Sequence, residues 1–303
     1  MVFIVLTHVI SLVDYNNSGL IWGVRAFIHT VTIPLFSLVS GFFTNIGSNK
    51  KFFDDLIKIG VSLAIFQSIS IFLFLISGQF KYSLLLIPWW ALWYLLSLLF
   101  WRIMLYYTPK RLIENPLLYL AIVFLISLLS GFIPHGKILS IQRTLSFYPF
   151  FLLGYYFRQG TLKSKPWSNT ISYIIMIVTV TLIVFNLYPD NSRILLSGVG
   201  RYGYTDIPAK IYMLLLSTIA SVSLFNIVKG NNFLANIGRD SMLYYLYHAF
   251  IIYFILTPLV EHFSLPMSFP FLLIYCAAIM TLIYYMGKIK LFKLLINPIN
   301  KKK

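Results

Sequence analysis

The sequence predicts an all-α fold: a polytopic integral membrane helical bundle of about ten transmembrane helices. Of the 303 residues, 59% are hydrophobic and only 11% are charged, whereas roughly a quarter of the residues in a soluble domain are charged. Aromatic residues make up 18% of the chain, which suits belts of Trp and Tyr at the membrane interfaces. So much apolar surface does not fit inside one water-facing core, so we expect the lipid bilayer to cover it.

The apolar runs predict where the helices lie. A helix that crosses a membrane needs about 20 residues, and ten apolar segments approach that length. They are 1–13, 25–45, 56–77, 84–107, 116–134, 147–157, 170–188, 208–228, 241–260 and 269–287. The first run and the run 147–157 are short, because thirteen residues rise only about 20 Å against a hydrocarbon core of about 30 Å. We assign all ten to a single transmembrane domain, residues 1–303, which ends in a basic tail over 289–303.

The basic residues predict the orientation of the chain. If the N-terminus is cytoplasmic, 17 of the 24 Lys and Arg residues lie in cytoplasmic segments and seven lie outside. Cytoplasmic loops of membrane proteins carry this excess. We therefore expect a multi-pass protein of the cell membrane with both termini in the cytoplasm. The same bias explains the net charge of +16 better than nucleic-acid binding does, since no basic surface with stackable rings lies outside the apolar spans.

Several kinds of site are disfavoured. The one cysteine, Cys276, has no internal partner for a disulfide. None of the five histidines stands at metal-ligand spacing from another His, Cys or acidic residue, so we expect no metal site. The segment from Gly198 to Gly203 has the glycine spacing of a dinucleotide fingerprint, but no strand precedes it and no helix begins at its third glycine, so we reject that function.

His8 is the first candidate for chemistry. It stands in the opening apolar run, about 9 Å along the helix from the expected outer interface. Ionisable residues inside a membrane are costly and by default mark function. Burial keeps an imidazole neutral and able to accept a proton, which a general base requires. The alternative is a histidine that only hydrogen-bonds a neighbouring helix.

Two arginines are candidates to act with His8. Arg25 and His29 are four residues apart and so share one helix face, and Pro34 kinks that helix, which lets its polar half line a cavity. Arg143 stands at the expected outer mouth of the short run that contains Pro149. Orientation does not require a cation there, so Arg143 is a candidate for oxyanion stabilisation. The alternative for both arginines is snorkelling to the interface.

Aromatic side chains and one more histidine are candidates to bind a substrate. Trp89, Trp93 and Tyr94 enter a helix from the outer side and either stack on a sugar or form part of an interfacial belt. Tyr148 follows Arg143 in the same short run. His248 stands mid-span among tyrosines, where it either meets substrate or packs.

The glycine-rich outer loop offers a carbohydrate surface. Tyr202 and Tyr204 would stack on sugar rings, and Arg201 and Asp206 would hydrogen-bond to sugar hydroxyls. The alternative is a flexible loop with no ligand.

Five stretches together resemble one family. They are Ile4-Val-Leu-Thr-His8, Ile33-Pro-Leu-Phe-Ser-Leu-Val-Ser-Gly-Phe-Phe43, Trp89-Trp-Ala-Leu-Trp-Tyr-Leu95, Arg143-Thr-Leu-Ser-Phe-Tyr-Pro-Phe-Phe-Leu-Leu-Gly-Tyr155, and Asn236-Ile-Gly-Arg-Asp-Ser241 with His248. In this order the sequence resembles the acyltransferase family 3 membrane proteins, especially the branch of fucose 4-O-acetylase-like and polysaccharide O-acetyltransferases. The resemblance implies a membrane enzyme that moves an acetyl group from cytosolic acetyl-CoA to a sugar hydroxyl.

The resemblance also assigns residues. His8 corresponds to the essential histidine of the family, and Arg143 matches the arginine ahead of its F-x-P-F-F segment. Two positions depart from the family pattern. A basic residue that the family places before the first-helix histidine would precede Met1, from which we expect a truncated N-terminus. Thr32-Ile33-Pro34 replaces the common His-Met-Pro.

The sequence thus predicts a membrane O-acyltransferase. Neutral His8 takes the proton of a sugar hydroxyl. Arg143, with Arg25, stabilises the tetrahedral intermediate. The acetyl group is transferred either directly or through an acetyl-histidine. Acetyl-CoA, or another acyl-CoA, is the donor substrate and no cofactor is tightly bound. Lys50, Lys51 and Lys58 either bind coenzyme A phosphates or only set the orientation.

The expected partners are a cell-surface polysaccharide or lipid-linked glycan as acceptor and the proteins of envelope polysaccharide synthesis. Two other classes remain open. A transporter of a lipid-linked sugar or small anion would use the same histidine and arginines as a pathway. A structural partner in envelope synthesis would not need His8.

Overall fold

The computed structural model describes residues 1–13, 19–47, 49–163, 165–185, 187, 200–228 and 241–296. Within these ranges the chain is helical and forms no strand, which confirms the all-α prediction. The α-helices of the described residues, numbered in chain order, are α1 Val2–Ile10, α2 Leu20–Phe42, α3 Asn49–Ile76, α4 Trp93–Tyr107, α5 Lys110–Ile113, α6 Pro116–Leu129, α7 Ile141–Gln159, α8 Asn169–Val184, α9 Ile207–Val228, α10 Ser241–Ile251, α11 Thr257–Phe263, α12 Phe269–Met286 and α13 Lys290–Ile296. A π-helical turn, Ile252–Leu256, joins α10 to α11.

Six helical segments among the described residues are long and apolar enough to cross a membrane. They are Leu20–Phe42, Asn49–Ile76, Tyr82–Tyr107, Tyr204–Val228, Ser241–Phe263 and Phe269–Met286. Two shorter apolar helical segments, Pro116–Phe132 and Asn169–Val184, accompany them. The protein is therefore a helical membrane protein, while the predicted total of about ten spans stays a prediction.

Several of the predicted helix bounds are wrong: α2 begins at Leu20 rather than at 25, α3 begins at Asn49 rather than at 56, and two further differences bear on the site. The run expected over 147–157 is a full helix, α7, which starts at Ile141, so Arg143 lies in its first turn rather than in a loop. The run expected from 84 becomes an α-helix only at Trp93. Pro88 accounts for the break before residue 88, because proline lacks the N–H that a helix interior needs and disfavours helical geometry in the residue before it.

Lys210 is one of the seven basic residues that the sequence predicts to lie outside the membrane. It lies in α9 and is only 1% exposed. Some predicted features lie outside the described residues, namely Ser197 to Val199 of the glycine-rich loop, Asn236 to Asp240, and the tail from residue 297.

Helices α2 and α7 touch backbone to backbone. A Cβ on Gly41 of α2 would overlap the carbonyl of Phe151, and a Cβ on Gly154 of α7 would overlap the carbonyl of Leu38. Small residues allow this approach, and in a membrane the close packing itself drives helix association. The contact holds α7, which carries Arg143, against the helix that carries Arg25.

We expect Gly41→Ala or Gly154→Ala to destabilise the protein, because each added methyl must push two helix backbones apart. Overpacking of this kind costs about 1–3 kcal/mol. The measurement is thermal unfolding of the purified protein in detergent. Gly60→Ala is the matched control, since a Cβ there meets only the Leu99 side chain, at 3.6 Å. Equal melting temperatures for all three variants would contradict the backbone contact.

Candidate functional site

The stretch before α4, residues 82–92, is here called the lead-in segment. It contains two 3-10 turns, Tyr82–Leu85 and Trp90–Leu92, instead of an α-helix. Trp90 has a φ of 38°, a left-handed conformation that bulky side chains rarely adopt. Such strain persists only where the surroundings enforce it, and it concentrates at functional sites.

Side chains of two other helices bond to the backbone of the lead-in segment. The amide of Gln67 in α3 accepts the Trp89 N–H at 3.0 Å and donates to the Leu84 carbonyl at 2.6 Å. The Tyr245 hydroxyl of α10 donates to the Ala91 carbonyl. Non-helical backbone at membrane depth is tolerated only where protein or a cavity satisfies its polar groups, so these bonds allow the segment to leave helical geometry.

The lead-in segment, α1, α2, α4 and α10 enclose a small cavity that holds His8. Its volume is about 50 Å³. The lining side chains are Ile4, His8, Ile33, Phe36, Ala91, Trp93, Tyr94 and Tyr245. The space admits a few water molecules or a group the size of an acetyl, and among the described residues that line it His8 supplies the only imidazole.

Two rings pack against His8. Its ring centroid lies 4.7 Å from that of Trp90, with the planes at 80°, and 5.1 Å from that of His248, with the planes at 38°. Trp90, the strained residue of the lead-in segment, therefore packs against His8 and orients its ring. His248, His29, Arg143 and Arg25 are all close enough to act electrostatically on His8.

Arg143 is held by an aromatic ring. Its guanidinium carbon lies 4.7 Å from the ring centroid of Trp93, a cation–π arrangement. Its Nε is buried without a hydrogen-bond partner, and within the described residues no carboxylate pairs with it. A cation placed in this way keeps donor capacity for an anion that enters the site.

His248 is fully buried in α10. Its Nδ1 lies 2.9 Å from the Tyr244 carbonyl, so this nitrogen carries the proton and donates it to the carbonyl. Its Nε2 is then an acceptor, and it is buried without a partner. The π-helical turn follows directly after α10, and such turns often occur at functional sites.

The predicted shared face of Arg25 and His29 is present. Arg25 is buried, and its Nε donates to His29 Nε2 at 3.5 Å. Tyr94 also contributes to the site: its ring lines the His8 cavity, and its hydroxyl donates to Ser40 at 2.8 Å.

Three of the predicted substrate residues are buried, and their role in substrate binding stays a prediction. Trp89 is 7% exposed and its ring centroid lies 4.8 Å from that of Phe250. The Tyr148 hydroxyl pairs with that of Tyr119 at 2.6 Å. Tyr202 is also 7% exposed. Each ring is enclosed by neighbouring helices.

Tyr202, one of the two tyrosines predicted to stack on sugar rings, is buried against a neighbouring helix. Its ring occupies the space that a side chain on Gly131 would need, and its hydroxyl donates to the Leu128 carbonyl. Tyr204 is 80% exposed, with its ring centroid 4.8 Å from that of Phe132. Arg201 is exposed and lines a second cavity.

The three lysines expected to bind the donor lie in the first turns of α3. Lys50 and Lys51 are exposed, and Lys58 pairs with Asp55 at 3.5 Å. None of them lines the His8 cavity, so donor binding by these residues stays a prediction.

Sequence reasoning missed Trp90, Tyr245 and Gln67. The one local signal was Pro88, which marks a break in helical geometry at the start of the segment. Nothing in the sequence indicates which helices supply the hydrogen-bond partners.

A family model described as an acyltransferase domain, Acyl_transf_3, matches residues 1–288. The chain belongs to acyltransferase family 3. The predicted family is therefore confirmed, and the protein is a membrane acyltransferase. The particular branch stays a prediction, because a search of the curated proteins and a search of the solved structures each found no match.

We expect Gln67→Leu to destabilise this acyltransferase, since it leaves the Trp89 N–H and the Leu84 carbonyl without partners. Each buried unsatisfied group costs about 1–3 kcal/mol. The measurement is thermal unfolding in detergent. Gln79→Leu is the control, because Gln79 is exposed and its amide accepts only the Tyr253 hydroxyl, at 3.3 Å. A melting temperature for Gln67→Leu equal to that of the control would show that Gln67 does not hold the segment.

Proposed function

We propose that the protein transfers an acetyl group from acetyl-CoA to a sugar hydroxyl, with His8 as the general base. The observation that carries the proposal is the His8 cavity. There the imidazole of His8 faces an acetyl-sized space. Near it lie Arg143, whose Nε–H has no partner, and His248, whose Nε2 has no partner. Membership of acyltransferase family 3 supports the class of reaction.

In the proposed reaction the acceptor oxygen attacks the thioester carbon while His8 takes the hydroxyl proton. The new C–O bond forms first, and the negative charge of the tetrahedral intermediate collects on the carbonyl oxygen. Arg143, with Arg25, stabilises that oxygen. The intermediate then collapses, the C–S bond breaks, and His8 returns the proton to the coenzyme A sulfur.

His248 has a distinct proposed role. Its Nδ1–H is committed to the Tyr244 carbonyl, so the free Nε2 accepts a hydrogen bond from the acceptor hydroxyl or a bound water. This bond would direct the hydroxyl toward His8. An unpartnered buried acceptor is costly, and a substrate hydroxyl would remove that cost.

The size of the cavity favours a small acyl group. A volume of about 50 Å³ accommodates an acetyl group but no long acyl chain. The pantetheine and nucleotide of the donor would extend toward the other end of α2 and α4, where the first turns of α3 place Lys50 and Lys51.

The first experiment measures acyl transfer by the purified protein in detergent. With acetyl-CoA and an acceptor glycan the wild type should release free coenzyme A thiol, and His8→Ala should lower the rate about 10²–10⁴-fold, as expected for loss of a general base. His262→Ala is the matched control, since His262 is an exposed histidine outside the site. Full activity of His8→Ala, or glycan transport into vesicles without thiol release, would overturn the proposal.

The second experiment tests Arg143. Arg143→Met should lower kcat about 10²–10³-fold with little change in KM, because an oxyanion donor acts in the transition state. Arg111→Met, at an exposed arginine, should leave both constants unchanged. If Arg143→Met raises KM alone, Arg143 binds ground-state substrate and does not stabilise the oxyanion.

A further inference from the structure

A second and larger cavity lies at the end of the bundle where α7 begins. Its volume is about 450 Å³, within the range of small-molecule pockets. The lining residues are Ser83, Leu86, Ile87, Ile133, His135, Gly136, Lys137, Ile138, Gln142, Gly200 and Arg201. They come from the lead-in segment, the loop before α7, the first turn of α7 and the segment before α9.

Hydrogen bonds tie these segments together. The Gln142 amide donates to the Gly200 carbonyl at 2.5 Å and accepts the Gly200 N–H at 3.2 Å. The Leu139 N–H donates to the Leu86 carbonyl at 2.9 Å. Gln142 itself is buried. The cavity is therefore a fixed feature of the fold.

The backbone beside the cavity is strained. His135, Leu139 and Ser140 have φ values of 55°, 49° and 54°, in the left-handed region that such residues seldom occupy. Of these three residues His135 lines the cavity, as does Lys137 of the same loop.

The walls combine an apolar floor with a cationic edge. Leu86, Ile87 and Ile133 supply apolar surface, while Lys137 and Arg201 are exposed cations that face the same space. Among the described residues that line it there is no Asp or Glu, and within the described chain neither cation forms an ion pair. A ligand that matches these walls carries an anionic group next to an apolar face.

The cavity adjoins the His8 site through two chain connections. Gln142, in its wall, precedes Arg143, and the lead-in segment that supplies Leu86 and Ile87 continues to Trp90 beside His8. The two cavities share no lining residue, so these connections link their walls along the chain.

We propose that this cavity binds an acidic sugar residue of the acceptor glycan. The carboxylate pairs with Lys137 and Arg201, and the C–H face of the ring rests on the apolar floor. This inference rests on the proposed acyl transfer and adds the substrate class, an anionic carbohydrate whose neighbouring hydroxyl reaches His8. A glycan suits the site better than a lipid headgroup, because most of the lining residues belong to loops and 3-10 turns rather than to the helix faces along which acyl chains lie.

The test is a binding measurement that needs no acyl donor. Titration calorimetry in a neutral detergent compares tri-galacturonate with the neutral trisaccharide maltotriose. We expect the acidic trisaccharide to bind at least tenfold more tightly at low salt and to lose affinity as salt screens the cations. The double variant Lys137→Gln/Arg201→Gln should lower the affinity for tri-galacturonate at least tenfold. The double variant Lys163→Gln/Lys165→Gln, which removes two exposed cations that do not line the cavity, should bind as the wild type does.

Three outcomes would overturn the inference. The first is equal affinity for the acidic and neutral trisaccharides, and the second is that Lys137→Gln/Arg201→Gln has no effect on binding. The third is that this variant loses affinity for phosphatidylglycerol in mixed micelles but keeps its affinity for tri-galacturonate, which would assign the cavity to a lipid headgroup. Because binding is measured without acetyl-CoA, it can hold while thiol release fails. Conversely, thiol release with a neutral glycan, without tri-galacturonate binding, would support acyl transfer and reject only this inference.

Discussion

The site depends on a stretch of non-helical backbone whose polar groups bond to side chains of neighbouring helices. Inside a membrane, an N–H or C=O group without a partner is expensive, so a chain normally remains helical there. The lead-in segment departs from a helix because Gln67 bonds to it on one side and Tyr245 on the other. The left-handed Trp90 that results is the residue whose ring packs against His8. Helices α3 and α10 thus determine the surroundings of His8 on α1.

The second constraint is the contact between α2 and α7. Gly41 and Gly154 let the two backbones meet, and neither position accommodates a Cβ without movement. In a bilayer, where burial of apolar surface does not drive helices together, such packing supplies much of the association. It also fixes the relative positions of the helices that carry Arg25 and Arg143, the two cations proposed to stabilise the oxyanion.

Among the described residues, the cations Arg143, Lys137 and Arg201 beside the two cavities are not paired with carboxylates. Arg143 rests on the Trp93 ring with a free Nε, and the Nε2 of His248 has no partner. Lys137 and Arg201 face the larger cavity without an ion pair among the described residues. Cations that are not neutralised within the protein retain most of their attraction for an anion, such as a developing oxyanion or a bound carboxylate.

Composition and apolar runs alone determined that the chain is a helical membrane protein. The four-residue spacing of Arg25 and His29 predicted their shared helix face, because such a face follows from local chain geometry. His8 could be selected as a candidate from the sequence, since an ionisable residue in an apolar run is rare. The sequence did not reveal that Trp90 leaves the helix, that Tyr202 is buried against Gly131, or that His248 meets His8 from 240 residues away. Those features depend on which helices become neighbours, and helix order in space is set by packing between distant segments, which no local pattern records.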